Sequence, residues 1–425
     1  MLKVRSCDHG RVIRRLLLVL DSSGDGATSL LDLARWAAAE HDVEVTAVVL
    51  EPADDVPLDG IAVVRRPTPT LGAIRATAEV TGRPGLAVRA HRAWRRRVLA
   101  DATEFDVIVA GSAAALVALD EMPDPAPPVV AHLPLLDEAW SRTRRPTDLA
   151  GRLADAALTV VPAEPVAHWA VRPRDQGGLG LDPARVRHHH GPLDPPTRHP
   201  RPGPDAAALV VGCGPVGWRA GADLFVTLAA EVGPEVDGRA VHWTWIGDDD
   251  QDGTGADVRR DIGLRDLRDR VRITPDGPER ADRLAAADLL VVTGRVDPYP
   301  LAAVQAALAG TPVVGFTPGT ALLDEAGHPE HRIADLDGRA LATEVRTLLA
   351  RPDRGRLLAG DLARAAASAT TPLAAAALWA DIESAVALES ASTPTPEVAI
   401  TSGGRPPDLI ASSDEDEAED EGGAA

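Results

Sequence analysis

From Arg14 onward the chain alternates two hydrophobic patterns. Leu16–Leu20 and Val43–Leu50 are runs of consecutive apolar residues, and Ala27–Glu40 carries Leu30, Leu31, Ala34 and Ala38 at three-to-four spacing. An unbroken apolar run of that length suits a strand covered on both faces, and the wider spacing suits an amphipathic helix. Asp106–Ala110, Pro128–Ala131 and Ala157–Val161 continue the strand series, each followed by helix-permissive sequence. Such β-α repetition predicts a parallel sheet with helices on both faces.

Between Pro192 and Pro204 the sequence is rich in Pro, His and Arg and poor in apolar residues, which reads as a linker. A second alternating series follows. Its strands are predicted at Ala208–Gly212, Val241–Ile246, Arg270–Thr274, Leu289–Val292, Pro312–Phe316 and His331–Ala334. Helices are predicted at Ala222–Val232, Arg280–Ala287, Leu301–Ala309, Arg339–Leu349 and Arg354–Ala367, with a last one from Pro372 to Leu388. The fold class is therefore α/β with two doubly wound, Rossmann-like domains, and the expected ligand site is a central cleft at the facing carboxyl ends of the strands.

Composition changes this picture at a few points. With 425 residues, 45% of them hydrophobic, the chain can bury two separate cores. The formal net charge is -20, but Ser412–Gly422 is dense in acids and reads as a solvated, disordered tail, so the folded part is less acidic than the total. An acidic surface excludes nucleic acid and anionic lipid as partners held by broad electrostatic attraction. The two cysteines, Cys7 and Cys213, make neither a disulfide framework nor a metal cluster, and a cytoplasmic location is expected. The run Leu16–Leu20 is too short to span a membrane. Lys3 is the single lysine among many arginines.

Two segments carry the chemistry. Gly212-Cys-Gly-Pro-Val-Gly217 follows a strand and fits G-x-G-x-x-G, the pattern of a dinucleotide-binding turn. Trp218-Arg219-Ala220-Gly221 then delays the helix, and the nearest acids at a strand end, Asp248 and Asp249, come about ten residues later than that fingerprint wants. Any one of these glycines could simply permit a tight turn; the loop as a whole reads as a pyrophosphate cradle of Gly212, Gly214, Gly217 and Gly221. The second segment, Asp297-Pro-Tyr-Pro-Leu301 through Gln305 to Gly310-Thr-Pro-Val-Val314, is a loop, a helix start and a strand.

Together these segments resemble the donor half of the family-4 glycosyltransferases, retaining enzymes of the GT-B fold that use a nucleoside-diphosphate sugar without a bound metal or cofactor. The resemblance implies a flexible N-terminus over 1–13, an acceptor-side domain over 14–195, a linker over 196–205, a donor domain over 206–371, a helix over 372–389 returning to the first domain, and a disordered acidic tail over 390–425. In the family a Trp-Arg-Lys-Gly turn supplies a lysine to the donor pyrophosphate; Ala220 stands there in this chain. Loss of one such donor typically costs about 3 to 4 kcal/mol in the transition state. Arg219 or Arg295 replaces it, or the protein no longer transfers sugars quickly; Arg219 is equally readable as a solvated turn residue. The family's E-x7-E pair becomes Asp297, serving the donor sugar, and Gln305, a neutral partner for the ribose, with Pro300 and Leu301 at the helix start beside the phosphates. A helix-entry cap before Pro298 is the plain alternative for Asp297, and a polar residue on a helix flank that for Gln305. Thr317, Gly319 and Thr320 fall where the family places a loop near the donor.

On the acceptor side, Asp21–Ser29 resembles the family's phosphate-facing glycine loop, with Ser23, Gly24, Gly26 and Thr28 as contacts; an ordinary capped loop is the plain alternative. His132 ends a strand where the family has a histidine near the reacting carbon; a lone structural histidine is the plain alternative. His188-His189-His190 is read as the last strand before the hinge, because three adjacent residues do not face one ion. The basic stretch Arg89–Arg97 with Trp94 reads as a solvated helix face or, less simply, a place for an acceptor carrying phosphate. The function implied is sugar transfer to an unidentified acceptor hydroxyl. A degenerate binding or regulatory protein and a sugar-nucleotide epimerase are the alternatives.

Overall fold

A computed structural model describes residues 13–20, 25–50, 58–67, 69–134, 149–193, 206–249, 253–277, 279–317 and 319–392. The first sheet comprises β1 (Arg15–Leu20), β2 (Glu44–Val49), β3 (Val63–Arg65), β4 (Val107–Ala110), β5 (Val129–His132), β6 (Leu158–Val161) and β7 (Val186–His188). Around it lie α1 (Asp25–His41), α2 (Pro69–Val80), α3 (Pro84–Val98), α4 (Ala113–Ala118), α5 (Leu149–Ala154) and α6 (Glu164–Val171). The strands are parallel in the order β3-β2-β1-β4-β5-β6-β7, reversing direction of growth at β1 and β4. That reversal is the switch point at which open α/β sheets form ligand crevices.

The second sheet comprises β8 (Ala208–Cys213), β9 (Glu235–Val236), β10 (Arg239–Ile246), β11 (Val271–Thr274), β12 (Leu289–Val292), β13 (Val313–Phe316) and β14 (Arg332–Ile333). Its helices are α7 (Ala222–Val232), α8 (Thr254–Leu264), α9 (Arg280–Ala286), α10 (Leu301–Ala309), α11 (Ala321–Glu325), α12 (Gly338–Ala350) and α13 (Pro352–Ala366). The order is β11-β10-β8-β12-β13-β14, parallel throughout, with β9 added antiparallel to β10. The core strands are apolar on both faces because helices cover both: Val210, Val211, Leu289, Leu290 and Val291 are all buried.

The last helix, α14 (Leu373–Ser392), packs on the first sheet's side of the molecule. Trp379, Ile382 and Val386 are buried in one cluster with Leu16, Leu18, Leu31 and Val45. Arg185 pairs with Glu389 at 2.9 Å, and His189 meets Asp381 at 2.7 Å. The chain therefore passes between the two sheets twice. The passages lie side by side: Leu193 donates to the Ala369 carbonyl at 2.9 Å and accepts from the Thr371 amide at 3.0 Å. Ile13, which the sequence reading placed in a flexible terminus, is buried in the first core because it precedes β1 directly. Residues 1–12, the linker 196–205 and the tail from 393 onward lie outside the described residues. No helix among the described residues is long and apolar enough to cross a membrane.

Candidate functional site

β8 leads into the glycine loop, whose shape depends on close approaches. A Cβ at Gly212 would come within 2.6 Å of the Trp245 ring. Gly221 takes a left-handed φ of +78°, and a Cβ there would lie 2.1 Å from the Thr293 carbonyl. The Thr293 hydroxyl donates to the Gly221 carbonyl at 2.9 Å, with the Ala220 carbonyl at 3.2 Å, so the end of β12 anchors the loop. The Trp245 indole donates to the Gly214 carbonyl at 2.8 Å. Neither Thr293 nor Trp245 was singled out from the sequence, since nothing local marks a residue whose partner is tens of positions away.

The loop's amides are mostly engaged within the protein. Those of Gly214, Val216, Gly217 and Gly221 donate to the carbonyls of Ile246, Asp248, Pro215 and Gly217. This corrects the expectation that the glycines offer a cradle of free main-chain nitrogens: they hold the turn. The electropositive ends nearby are two helix starts. α7 follows Gly221 and α10 follows Pro300, and neither of these residues caps its helix with a side chain. Pro300 and Leu301 occupy the α10 start.

The candidate cations differ sharply. Arg295 grips Asp223 with both guanidinium arms, at 3.0 and 2.7 Å, lies over the Trp218 ring at 5.1 Å and donates to the Trp218 carbonyl. Its charge is matched by a carboxylate, so it braces the loop and is not the replacement for the missing lysine. Arg219 is exposed, and its guanidinium has no hydrogen bond or ion pair among the described residues. Ala220 is half-buried against the core.

Asp297 accepts the Tyr299 amide at 3.1 Å through Oδ1, which folds the Asp-Pro-Tyr-Pro turn ahead of α10. The Gln305 carbonyl accepts from Arg280 at 3.1 Å, and Arg280 also reaches Asp276 at 2.9 Å. Gly319 is pressed onto the same turn: a Cβ would meet Val292 at 2.8 Å and the Asp297 carbonyl at 3.4 Å. Thr317 is half-exposed, with its amide bonded to Ile333. Thr320 is 1% exposed and its hydroxyl donates to the Phe316 carbonyl at 3.2 Å, so its side chain closes its own loop and does not face a ligand.

On the first sheet His132 ends β5. It is 7% exposed, and its Nδ1 is buried with no hydrogen-bond partner. Burial pushes its pKa down to about 4, opposed by the Gly111 backbone, so the ring is neutral at neutral pH. Ser23 and Gly24 lie outside the described residues; Gly26 falls in the first turn of α1, and Thr28 is half-buried in the same helix. In α3, Arg92 and Arg96 both bind the carboxylate of Glu121. A cavity of about 580 Å³ opens at the end of that helix, lined by Arg65, Arg66, Trp94 and Arg97 among others.

The two halves touch where β7 runs out. His190 stacks on Tyr299 with ring centroids 4.5 Å apart and an interplanar angle of 12°, and its Nε2 lies 3.4 Å from Glu325. A Cβ on Gly191, at φ +77°, would fall 1.9 Å from the Ser29 hydroxyl, so α1 seats the same loop. Burial pushes Glu325 up to about 7 and raises the Tyr299 phenol well above its ordinary value. The turn before α10 and the carboxyl end of the first sheet thus share a wall.

Residues 208–351 match the sequence model of the family described as glycosyl transferases group 1. No curated protein matches the chain. Among solved structures, HepE of Anabaena in complex with UDP and glucose superposes with a TM-score of 0.68 at 18% identity, covering 88% of this chain and 99% of that one. The sucrose-phosphate synthase of Thermosynechococcus elongatus gives 0.62 at 17% identity, over 89% and 100%. TarM of S. aureus, in complex with fondaparinux, alpha-GlcNAc-glycerol and UDP, gives 0.65 at 10% identity, over 88% and 100%. The shared feature is the GT-B fold: two doubly wound α/β domains.

Proposed function

We propose that the chain transfers a sugar from a nucleoside diphosphate to an acceptor hydroxyl, with retention at the anomeric carbon. The carrying observation is the pairing of two uncapped helix starts, α7 and α10, with Asp297 and Gln305 at the spacing of a donor-sugar and ribose pair. The match over residues 208–351 and neighbours solved with UDP support the reading. In this scheme the helix starts and the Arg219 guanidinium receive the diphosphate, whose charge grows as the glycosidic bond breaks. Asp297 orients the sugar. His132, neutral and buried, contacts the sugar from the other side. Domain closure keeps water from the oxocarbenium-like centre.

Thermal melting with UDP, GDP, ADP and their sugars tests this, since a ligand of the native state raises stability by mass action. One nucleotide should bind, and Arg219→Ala should weaken it about tenfold or more, the effect of losing one charged hydrogen bond. An unchanged affinity would remove Arg219 from the site.

A second reading has its own support: Ala220 replaces the family's lysine, Arg295 is matched by Asp223, and the glycine-loop amides are engaged. Those features suit a protein that binds a nucleotide-sugar without turning it over. Incubation with radiolabelled nucleotide-sugars separates the readings: transfer or slow hydrolysis supports the enzyme, and binding without any product supports the second. Free epimerised sugar formed without acceptor would indicate an epimerase.

A further inference from the structure

We propose that His188, His190 and Glu325 form a divalent transition-metal site, zinc being the natural occupant, that ties the two domains together across the cleft. One ring nitrogen from each histidine and one Glu325 carboxylate oxygen all lie within 4.8 Å of one another. Three neighbouring histidines do not all face one ion, but two of them do here. In the extended chain leaving β7, side chains alternate. His189 turns to the far side and meets Asp381 of α14 at 2.7 Å, while His188 and His190 turn together, their rings 4.6 Å apart and edge to face. The third ligand comes from α11 in the other domain, which no local spacing could indicate.

The Pro162 carbonyl sets the tautomer of both rings. Nε2 of His188 and Nδ1 of His190 both lie against the Pro162 carbonyl, at 3.0 and 3.2 Å. A carbonyl only accepts, so both of those nitrogens carry the proton. The lone pairs are then on Nδ1 of His188 and Nε2 of His190, fixed by a second layer of contacts as metal-binding imidazoles usually are. The Tyr299 ring holds His190 by stacking. Nε2 of His190 and Oε2 of Glu325 are 3.4 Å apart, close to the ligand separation of about 3.3 to 3.4 Å that tetrahedral bonds of about 2.0 to 2.1 Å produce. Two imidazoles and a carboxylate favour zinc over magnesium or calcium, and leave a fourth position for water.

Because its ligands come from both sheets, the ion should bind best when the halves are as close as they are here, and should hold them so. The test uses the full chain without a histidine tag. Zinc is titrated in competition with a chromophoric chelator, expecting one equivalent bound. Glu325→Gln and His190→Ala should each weaken binding about tenfold or more, while His189→Ala leaves it within about twofold. X-ray absorption on the zinc-loaded wild type, which needs no variant to fold, should show two imidazoles and light-atom ligands. Absence of tight binding, a ligand set without two imidazoles, or full affinity in Glu325→Gln would each overturn the clamp; the last would leave the ion on the first domain alone.

Discussion

Gly221 shows how much one residue of the glycine loop decides. Its left-handed backbone and its contact with Thr293 leave no room for a side chain. Gly221→Ala combines the roughly 1–2 kcal/mol cost of that backbone region with a main-chain collision. It is expected to lower unfolding free energy by more than about 2 kcal/mol in a urea titration. Ala220 is the opposite case, a place where a side chain is missing. If the cleft holds a diphosphate, Ala220→Lys should raise kcat about tenfold to hundredfold, part of what one well-placed donor contributes; no gain would favour a protein that binds without catalysis. His132 gives a pH signature. Its native pKa, about 4, lies below the ordinary value near 6.5, so below pH 6.5 the unfolded chain takes up a proton that the native chain refuses. Stability should fall between about pH 6.5 and pH 4, by up to about 3 kcal/mol, and flatten below. The unfolding free energies of wild type and His132→Gln should therefore converge as pH drops through that window; a constant difference would show that the ring is not buried in neutral form.

Elements were legible where local punctuation agreed with the hydrophobic period. α7 and α10 occupy the predicted spans Ala222–Val232 and Leu301–Ala309 because Gly221 and Gly233 bracket the first, and Pro300 and Gly310 the second. β3 escaped the apolar-run criterion because it is a three-residue edge strand with Val63 40% and Val64 37% exposed. The β9–β10 hairpin turns on Asp237-Gly238, both with positive φ, a type I′ signal that is present in the sequence. Site residues divide the same way. The glycines and Asp297 stand out by motif, whereas Thr293, Asp223 and Glu325 matter through partners far along the chain. The docking of α14 was not readable locally either: Leu378, Trp379, Ile382 and Val386 mark one face at helical spacing, but nothing in the stretch says which sheet that face covers. Trp379 is its main anchor, 1% exposed. Trp379→Ala should cost about 3–5 kcal/mol by urea denaturation, against little change for exposed Leu388→Ala.

For the whole molecule, the decisive arrangement is that both sheets direct their carboxyl ends toward one wall, built by the loop after β7 and the turn before α10. His190 on Tyr299 sets the spacing of that wall. The whole chain is acidic, with 64 acids against 44 basic residues, while Arg219 stays exposed beside the glycine loop. An anionic ligand would thus meet a small positive region on a negative body, which favours recognition by local geometry over long-range attraction.

The paired hydrogen bonds of Leu193 with Ala369 and Thr371 bear on how such a body moves. Two covalent crossings fastened to each other act as a single pivot line: the lobes can tilt about it, but twisting or sliding past one another would strip those bonds. Opening should therefore be a one-axis rotation, widest at the rim remote from Leu193, and a ligand would enter from that rim.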